Sequence, residues 1–215
     1  MNTIIQVKEM ELARDILGDN LLDFNDLSNN LGIIHSPNER QMLTETFPFD
    51  DSFLMHLKEM DYIVTPTPTT TVNFCDVEEL CPAAFRQEKN SWRKTKDSYR
   101  KEMLQPMKWL AIKKGCFPGL NNKPWDEQQC FCEDTDSVPT LNYVPTMIEV
   151  CYAYLAYVKI RCELPLQEGL RLRTSTGCSE GLQEFYFSYD NSLSVVASVP
   201  EHYEDDLGVA AGIKI

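Results

Sequence analysis

The sequence predicts an α+β protein in which residues 1–163 are mainly helical and pack with a small antiparallel sheet formed by the C-terminal 50 residues. Apolar residues recur at helical spacing through most of the chain before residue 163. After Gly169 the hydrophobic pattern switches to a period of two, which is typical of strands. Helices followed by strands, rather than alternating with them, favour an α+β fold with an antiparallel sheet.

Length and proline spacing indicate how the chain is divided. A chain of 215 residues is long enough for one large domain or two small ones, and a 43% hydrophobic content is ordinary for a globular protein. Prolines alternate with threonines in residues 65–71, which removes alternate backbone donors and suits an edge strand or a connector. We therefore predict an N-terminal helical segment (1–64), this connector or edge strand (65–71) and an α+β body (72–215).

Start and stop signals predict four helical segments before residue 62. The first runs from Asn2 or Thr3 to Gly18, with a wide apolar face that belongs in a core. Residues 21–34 read as a short helix and a loop. The third segment begins with a capping box at residues 36–39, and the fourth is capped by Asp50 or Asp51.

The segment after residue 75 predicts two consecutive helices. Asp76 with Glu79 forms another capping box, which leads into a basic helix bearing an aromatic residue every seventh position. Pro106 ends or kinks that helix, because proline disfavours the α conformation of the residue before it. A second helix is then expected from Pro106 to Gly115, with lysines near its negative end.

Residues 116–165 predict a long loop and a buried helix. Turn residues and weak periodicity predict that residues 116–143 form an irregular connection. Trp125 in its middle is expected either to anchor a partner or to pack the loop onto the core of its own chain. Thr146 and Glu149 form a third capping box. The helix that follows is apolar nearly all round and is expected to be the central buried helix, ending before Pro165.

The last quarter of the chain predicts strands. Residues 170–174, 184–189 and 193–199 alternate apolar and polar side chains, and a hairpin at residues 190–191 is expected to join the last two. Arg171 and Arg173 share one face of their strand. Residues 209–215 are a candidate further strand.

The charge distribution is the strongest functional signal. The chain carries 20 basic and 33 acidic residues, for a net charge of −13. Ten of the basic residues fall in residues 86–114, a stretch with a net charge of +7, which leaves −20 on the remainder. We expect a cationic docking surface, and the residues expected to bind a partner are Arg86, Lys89, Arg93, Lys94, Lys96, Arg100, Lys101 and Trp125.

Three interpretations of this surface remain open from the sequence. The helix is simply a solvated face, or it packs on acidic residues of its own chain. Alternatively it docks an acidic protein partner or other copies of this chain. Nucleic acid is the third interpretation, since clustered cations release counterions and aromatic rings stack on bases. The net negative charge disfavours nucleic acid, because domains that bind it are usually basic overall.

One string fits a catalytic motif. Residues 177–181 read G-x-S-x-G, the nucleophile elbow of α/β-hydrolases, with Ser179 at its centre. That motif needs a helix after the serine, whereas a strand is expected here, and the only later histidine is His202. A turn between strands is therefore the favoured interpretation, and a small serine hydrolase is kept as an alternative function. We assign no catalytic residue.

The cysteines predict thiols rather than a metal site or a disulfide framework. Cys116, Cys130 and Cys132 lack the C-x2-C pairs of zinc sites, and no histidine lies near them. We predict no cofactor. The sequence also has no apolar run of the ~20 residues that a membrane span needs, no leader pattern and no Asn-x-Ser/Thr site. A cytoplasmic location or an intracellular particle is expected, without secretion or membrane association.

Together these patterns favour a non-catalytic interaction or assembly subunit of a larger complex, including a virion component, that docks acidic partners through its basic helix.

Overall fold

The computed structural model describes residues 2–82, 101–133, 142–178, 181–187, 193–198, 200–201 and 204–213. Its helices are α1 (Asn2–Leu17), α2 (Phe24–Leu31), α3 (Pro37–Glu45), α4 (Asp51–Glu59), α5 (Phe74–Leu80), α6 (Trp125–Glu133) and α7 (Met147–Arg161). Its strands are β1 (Tyr62–Pro66), β2 (Val72–Asn73), β3 (Met103–Leu104), β4 (Trp109–Lys113), β5 (Asn142–Tyr143), β6 (Arg171–Cys178), β7 (Gly181–Phe187), β8 (Leu193–Ser198), β9 (Leu207–Val209) and β10 (Gly212–Ile213). The predicted α+β class is confirmed.

Local capping chemistry explains where several helices begin. The Ser36 amide donates to Glu39 at 2.7 Å, and the Thr146 amide donates to Glu149 at 2.8 Å, so both predicted capping boxes form. Asp50 accepts from the Phe53 amide and caps α4. The box predicted at Asp76 and Glu79 is wrong, because Asn73 is the cap of α5 and Asp76 reaches back to it.

The C-terminal sheet has the strand order β8-β7-β6-β9. β7 pairs antiparallel with both β6 and β8, whereas β9 lies parallel to β6. The predicted hairpin turn at residues 190–191 lies outside the described residues, and the last predicted strand is two short strands, β9 and β10. After β9 the chain leaves this sheet, and β10 pairs with β4 and β5 in a second sheet.

A second sheet, with the order β1-β4-β10-β5, separates two hydrophobic cores. Ile63 and Ile112 pack into the first core with α7, while Val64 and Ala111 pack into the second core with α1 and α4. Successive side chains of a strand point to opposite faces, so a strand between two cores is apolar on both. Each core contains residues from both sides of the 65–71 segment.

Two predictions for the middle of the chain are wrong. Residues 109–113 form β4 instead of a helix, because a short continuous apolar run is also typical of a strand buried on both faces. The basic helix does not continue to residue 105, since β3 pairs there with β2. Its predicted residues 86–100 lie outside the described residues.

The structure adds a helix to the long predicted connection and buries the predicted central helix. The connection over residues 116–143 contains α6, a helix that begins at Trp125 with Asp126 and Glu127 in its first turn. Acidic residues favour the positive end of a helix, so this pair was the available signal for α6. Every residue of α7 from Met147 to Tyr157 except Glu149 is buried, and the predicted central helix is confirmed. None of the described helices is long and apolar enough to cross a membrane.

Candidate functional site

The predicted docking surface lies mainly outside the described residues. This holds for Arg86, Lys89, Arg93, Lys94, Lys96 and Arg100. Lys101 is described and is exposed to solvent. Residues 86–100 of the surface therefore stay a prediction from charge and spacing.

Lys113 does not belong to an outward-facing surface. Its side chain is buried, and its Nζ donates to the Met60 carbonyl at the C-terminal end of α4. The rings of Tyr62 and Phe117 lie 5.8 and 5.5 Å from the same Nζ. Burial lowers the pKa of Lys113, although the nearby Asp61 carboxylate opposes that change. The Lys113 ammonium group therefore interacts with the negative C-terminal end of α4.

Lys114 is also held inside the fold. Its Nζ donates to Asn20 Oδ1 at 2.6 Å and to the Tyr157 hydroxyl at 2.8 Å, and lies 3.2 Å from an Asp61 oxygen. These contacts join β4 to the turn before α2, to the turn before β1 and to α7. Both lysines at the end of β4 are therefore removed from the predicted docking surface, because their charges are used within the molecule.

Trp125 lies at the first position of α6 and is partly buried. Its amide donates to the Pro200 carbonyl at 3.2 Å, and its side chain packs against the second core. In the same helix, Gln128 is fully buried and donates to the Leu120 carbonyl at 2.8 Å. Trp125 thus contacts its own core, one of the two roles considered for it, and its role toward a partner stays a prediction.

The two arginines predicted to share a strand face form a buried charged network. Arg173 and Glu184 are both fully buried, and Arg173 Nε lies 3.5 Å from Glu184 Oε1. Arg173 also donates to Gln128 Oε1 at 3.2 Å, which ties the C-terminal sheet to α6. Arg171 lies 3.8 Å from Glu184 and pairs with Asp206 at 2.9 Å. The charges of both arginines are thus paired within the fold.

The candidate catalytic string joins two strands. Cys178 at the end of β6 pairs with Gly181 at the start of β7, in antiparallel register. Ser179 lies outside the described residues, but residues 181–187 form a strand, not the helix that a nucleophile elbow requires. This placement supports a turn between strands.

The three cysteines considered for zinc have different environments. Cys130 is exposed, Cys132 is buried, and Cys116 contacts Asn121. Across the described part of the chain, no group of three or more metal-ligating side chains is close enough together to hold an ion.

A cleft lies between α1 and α3 on the described surface. This α1–α3 cleft has a volume of about 570 Å³, and its lining includes Met10, Glu11, Arg14, Phe24, Arg40 and Thr44. Arg14 pairs with the buried Asp23, which also accepts from the Asn25 amide at 2.6 Å and the Asp26 amide at 2.9 Å as the cap of α2. The sequence alone does not reveal this cleft, because its residues come from three helices and nothing local signals their approach.

No protein-family model, no curated protein and no solved structure matches this chain.

Proposed function

We propose that this protein is a non-catalytic interaction or assembly protein that docks acidic protein partners through residues 86–101, as a subunit of a larger particle such as a virion. The observation that carries the proposal is the segregation of charge. These 16 residues contain seven of the 20 basic residues against two acidic ones, a net charge of +5. The remainder of the chain therefore has a net charge of −18.

Internal ion pairs elsewhere in the molecule support this proposal. In the described residues, six of the cations outside the segment contact carboxylates of the same chain: Arg14, Lys114, Lys123, Arg161, Arg171 and Arg173. Such pairing leaves the acidic excess of the molecule to dominate its external field. A second copy of the chain is then an electrostatic match for the segment, whereas a nucleic acid is repelled by the rest of the surface.

The cysteines favour an intracellular location for this assembly. Cys75, Cys130 and Cys162 are exposed thiols in the described part of the chain. Exposed thiols persist in a reducing compartment and oxidise in secreted proteins. Protein trapped with a thiol-blocking reagent at lysis should contain unoxidised cysteine at these three positions, and disulfides there would contradict the intracellular location.

Charge neutralisation tests the docking segment. The variant Arg93→Gln/Lys94→Gln/Arg100→Gln removes three charges from the segment. The control Lys58→Gln/Lys108→Gln/Lys159→Gln removes three exposed charges outside it. Native mass and sedimentation of the full chain, alone and after capture from its source cell, are compared at about 50 mM and about 500 mM salt, since salt screens exposed charges.

We expect an assembly, or a bound acidic protein, that the wild-type chain and the control retain at low salt and the segment variant loses. A monomer without a partner under all conditions would contradict the proposal, as would equal assembly by both variants. An assembly that dissolves on nuclease treatment would instead assign the segment to nucleic-acid binding.

A further inference from the structure

The α1–α3 cleft has the dimensions of a small-molecule site. Its volume of about 570 Å³ lies within the range of roughly 300–1,000 Å³ that such sites occupy. Phe24 and Met10 provide apolar surface within it, and Arg40 provides a cation. Polar and charged side chains, including Glu11 and Thr44, complete the lining. Ligand pockets combine apolar surface with placed polar groups in this way.

Arg40 is held in one orientation within this cleft. Its Nε donates to the His35 carbonyl at 3.0 Å, and its Nη1 donates to Asn25 Oδ1 at 3.3 Å. Its guanidinium carbon lies 5.8 Å from the centre of the Phe24 ring. A guanidinium has five N–H donors in a fixed plane, so two of them fix the group and the Nη2 donors remain.

The charges that line the cleft indicate the net charge of its ligand. Arg14 is neutralised by Asp23, whose other oxygen is occupied as a helix cap. Among the side chains that the structure describes, which on α1 begin at Met10, no carboxylate pairs with Arg40. Glu11 lines the cleft from α1 and is exposed. One uncompensated cation matches one negative charge, and Asp23 and Glu11 disfavour a doubly charged phosphate.

We propose that the α1–α3 cleft binds a small organic carboxylate whose apolar body lies against Phe24 and Met10, with Arg40 donating to the carboxylate oxygens. Arginine suits this role because its fork matches the two oxygens of a carboxylate. The inference is independent of the docking segment, since the cleft lies between helices of the N-terminal region.

Three aromatic probes that differ in their polar group test this assignment. The full chain, labelled with ¹⁵N, is titrated with 3-phenylpropionate, with its neutral analogue 3-phenylpropanamide and with phenyl phosphate. We expect 3-phenylpropionate to shift the amides of Met10, Asn25 and Gln41 saturably at concentrations up to about 10 mM, a range that covers weak binding. The neutral amide should bind about tenfold more weakly, because it lacks the charge that Arg40 recognises.

Substitutions test the role of Arg40. Arg40→Gln should weaken 3-phenylpropionate binding about tenfold, and Arg40→Lys should weaken it less, because lysine keeps the charge without the fork. Glu11→Gln should tighten binding, since it removes a competing negative charge. If Arg40→Gln does not fold, the Glu11→Gln variant and the amide comparison still decide the question.

Several results would overturn the proposal. These are the absence of saturable shifts with 3-phenylpropionate, equal binding of the acid and the amide, and unchanged affinity in both the Arg40 and the Glu11 variants. Tighter binding of phenyl phosphate than of 3-phenylpropionate would overturn the carboxylate assignment in favour of phosphate.

Discussion

Lys114 illustrates how one side chain joins distant parts of this chain. Its three polar partners, Asn20, Asp61 and Tyr157, are 94, 53 and 43 positions away in sequence. Lys114 Nζ also lies 4.1 Å from the centre of the Tyr157 ring. Because Asp61 is exposed, its ion pair contributes less than the two hydrogen bonds do.

Replacing Lys114 should therefore destabilise the fold. Lys114→Met keeps most of the aliphatic stem but leaves Asn20 Oδ1 and the Tyr157 hydroxyl without their donor. Since hydrogen bonds to a charged group contribute about 1.5–3 kcal/mol, we expect a loss of about 2–3 kcal/mol in urea unfolding. The control Lys108→Gln is exposed and should change stability by less than about 0.5 kcal/mol. Equal effects of the two would contradict the anchoring role.

Buried tyrosines make the protein sensitive to alkaline pH. Burial is the main cause that raises the pKa of Tyr62, Tyr143, Tyr152 and Tyr154 far above the usual value. Tyr152 donates to the Pro66 carbonyl at 2.8 Å, and Tyr154 donates to the Lys113 carbonyl at 2.7 Å. The native state thus retains phenol protons that the unfolded chain loses.

The unfolding free energy should fall as pH rises above about 10, where tyrosines of the unfolded chain ionise. We expect these four of the nine tyrosines to ionise only when the chain unfolds. Tyrosinate absorbance should show a cooperative step that coincides with the loss of circular dichroism. The variant Tyr152→Phe/Tyr154→Phe should reduce the step. A smooth titration of all nine tyrosines without unfolding would contradict this prediction.

At the scale of elements, β9 shows how closely the loop after β4 packs on the C-terminal sheet. Gly208 in the middle of β9 has no room for a side chain, because a Cβ there would lie 2.8 Å from Cys116 Cβ. Gln128 donates to the carbonyl of the preceding residue, Leu207, at 3.3 Å. Glycine is thus required at this position for close approach, not for an unusual backbone angle.

A pair of glycine substitutions tests this packing. Gly208→Ala should destabilise the protein by about 1–3 kcal/mol through overpacking. Gly177→Ala is the matched control in the neighbouring strand β6, where the nearest atom to the new Cβ is the Gly181 carbonyl oxygen at 3.9 Å. The control should be neutral or slightly stabilising, since alanine restricts the unfolded chain. Equal destabilisation by both variants in urea unfolding would contradict the contact at Gly208.

Elements with local signals were predictable, and those that depend on distant partners were not. The caps of α3, α4 and α7 and the alternation of β6, β7 and β8 are written in short stretches of sequence. β4 was misassigned because its apolar run fits both periods, and only pairing with β1 decides between them. α6 was missed because prolines and glycines surround a short helix.

At the scale of the whole molecule, the β1–β4 sheet makes two hydrophobic cores depend on each other. Cys151 lies in the first core and Cys132 in the second, and both are buried. Because β1 and β4 contribute side chains to both cores, loss of the sheet exposes both at once. The sequence predicted a boundary at residues 65–71 from its prolines, and nothing in that composition indicated that residues on both sides share their cores.

Thiol labelling should report this dependence. Cys132 and Cys151 should become reactive at the same urea concentration, which also matches the loss of circular dichroism, whereas the exposed Cys75 and Cys162 react in the native state. Mass spectrometry of labelled peptides would identify each position. Exposure of one buried thiol well before the other would show that the two cores unfold separately.

The docking segment and the α1–α3 cleft also differ in how well the sequence predicts them. The net charge of a segment is the sum of the charges of its residues, so the docking segment was recognisable from the sequence alone. The cleft depends on α1 packing near α3, which brings Arg14 and Arg40 to one cavity although 26 positions separate them. Its ligand chemistry was visible only after the helices were placed.

The position of β1 limits how another protein can attach to this molecule. β1 forms one border of its sheet, yet the Val64 carbonyl already accepts from the Leu22 amide at 2.9 Å. Pro66 has no amide hydrogen to offer. An incoming polypeptide therefore finds an incomplete backbone ladder along this border, which opposes strand addition and fibre growth from it. Recognition on this side has to proceed through side chains.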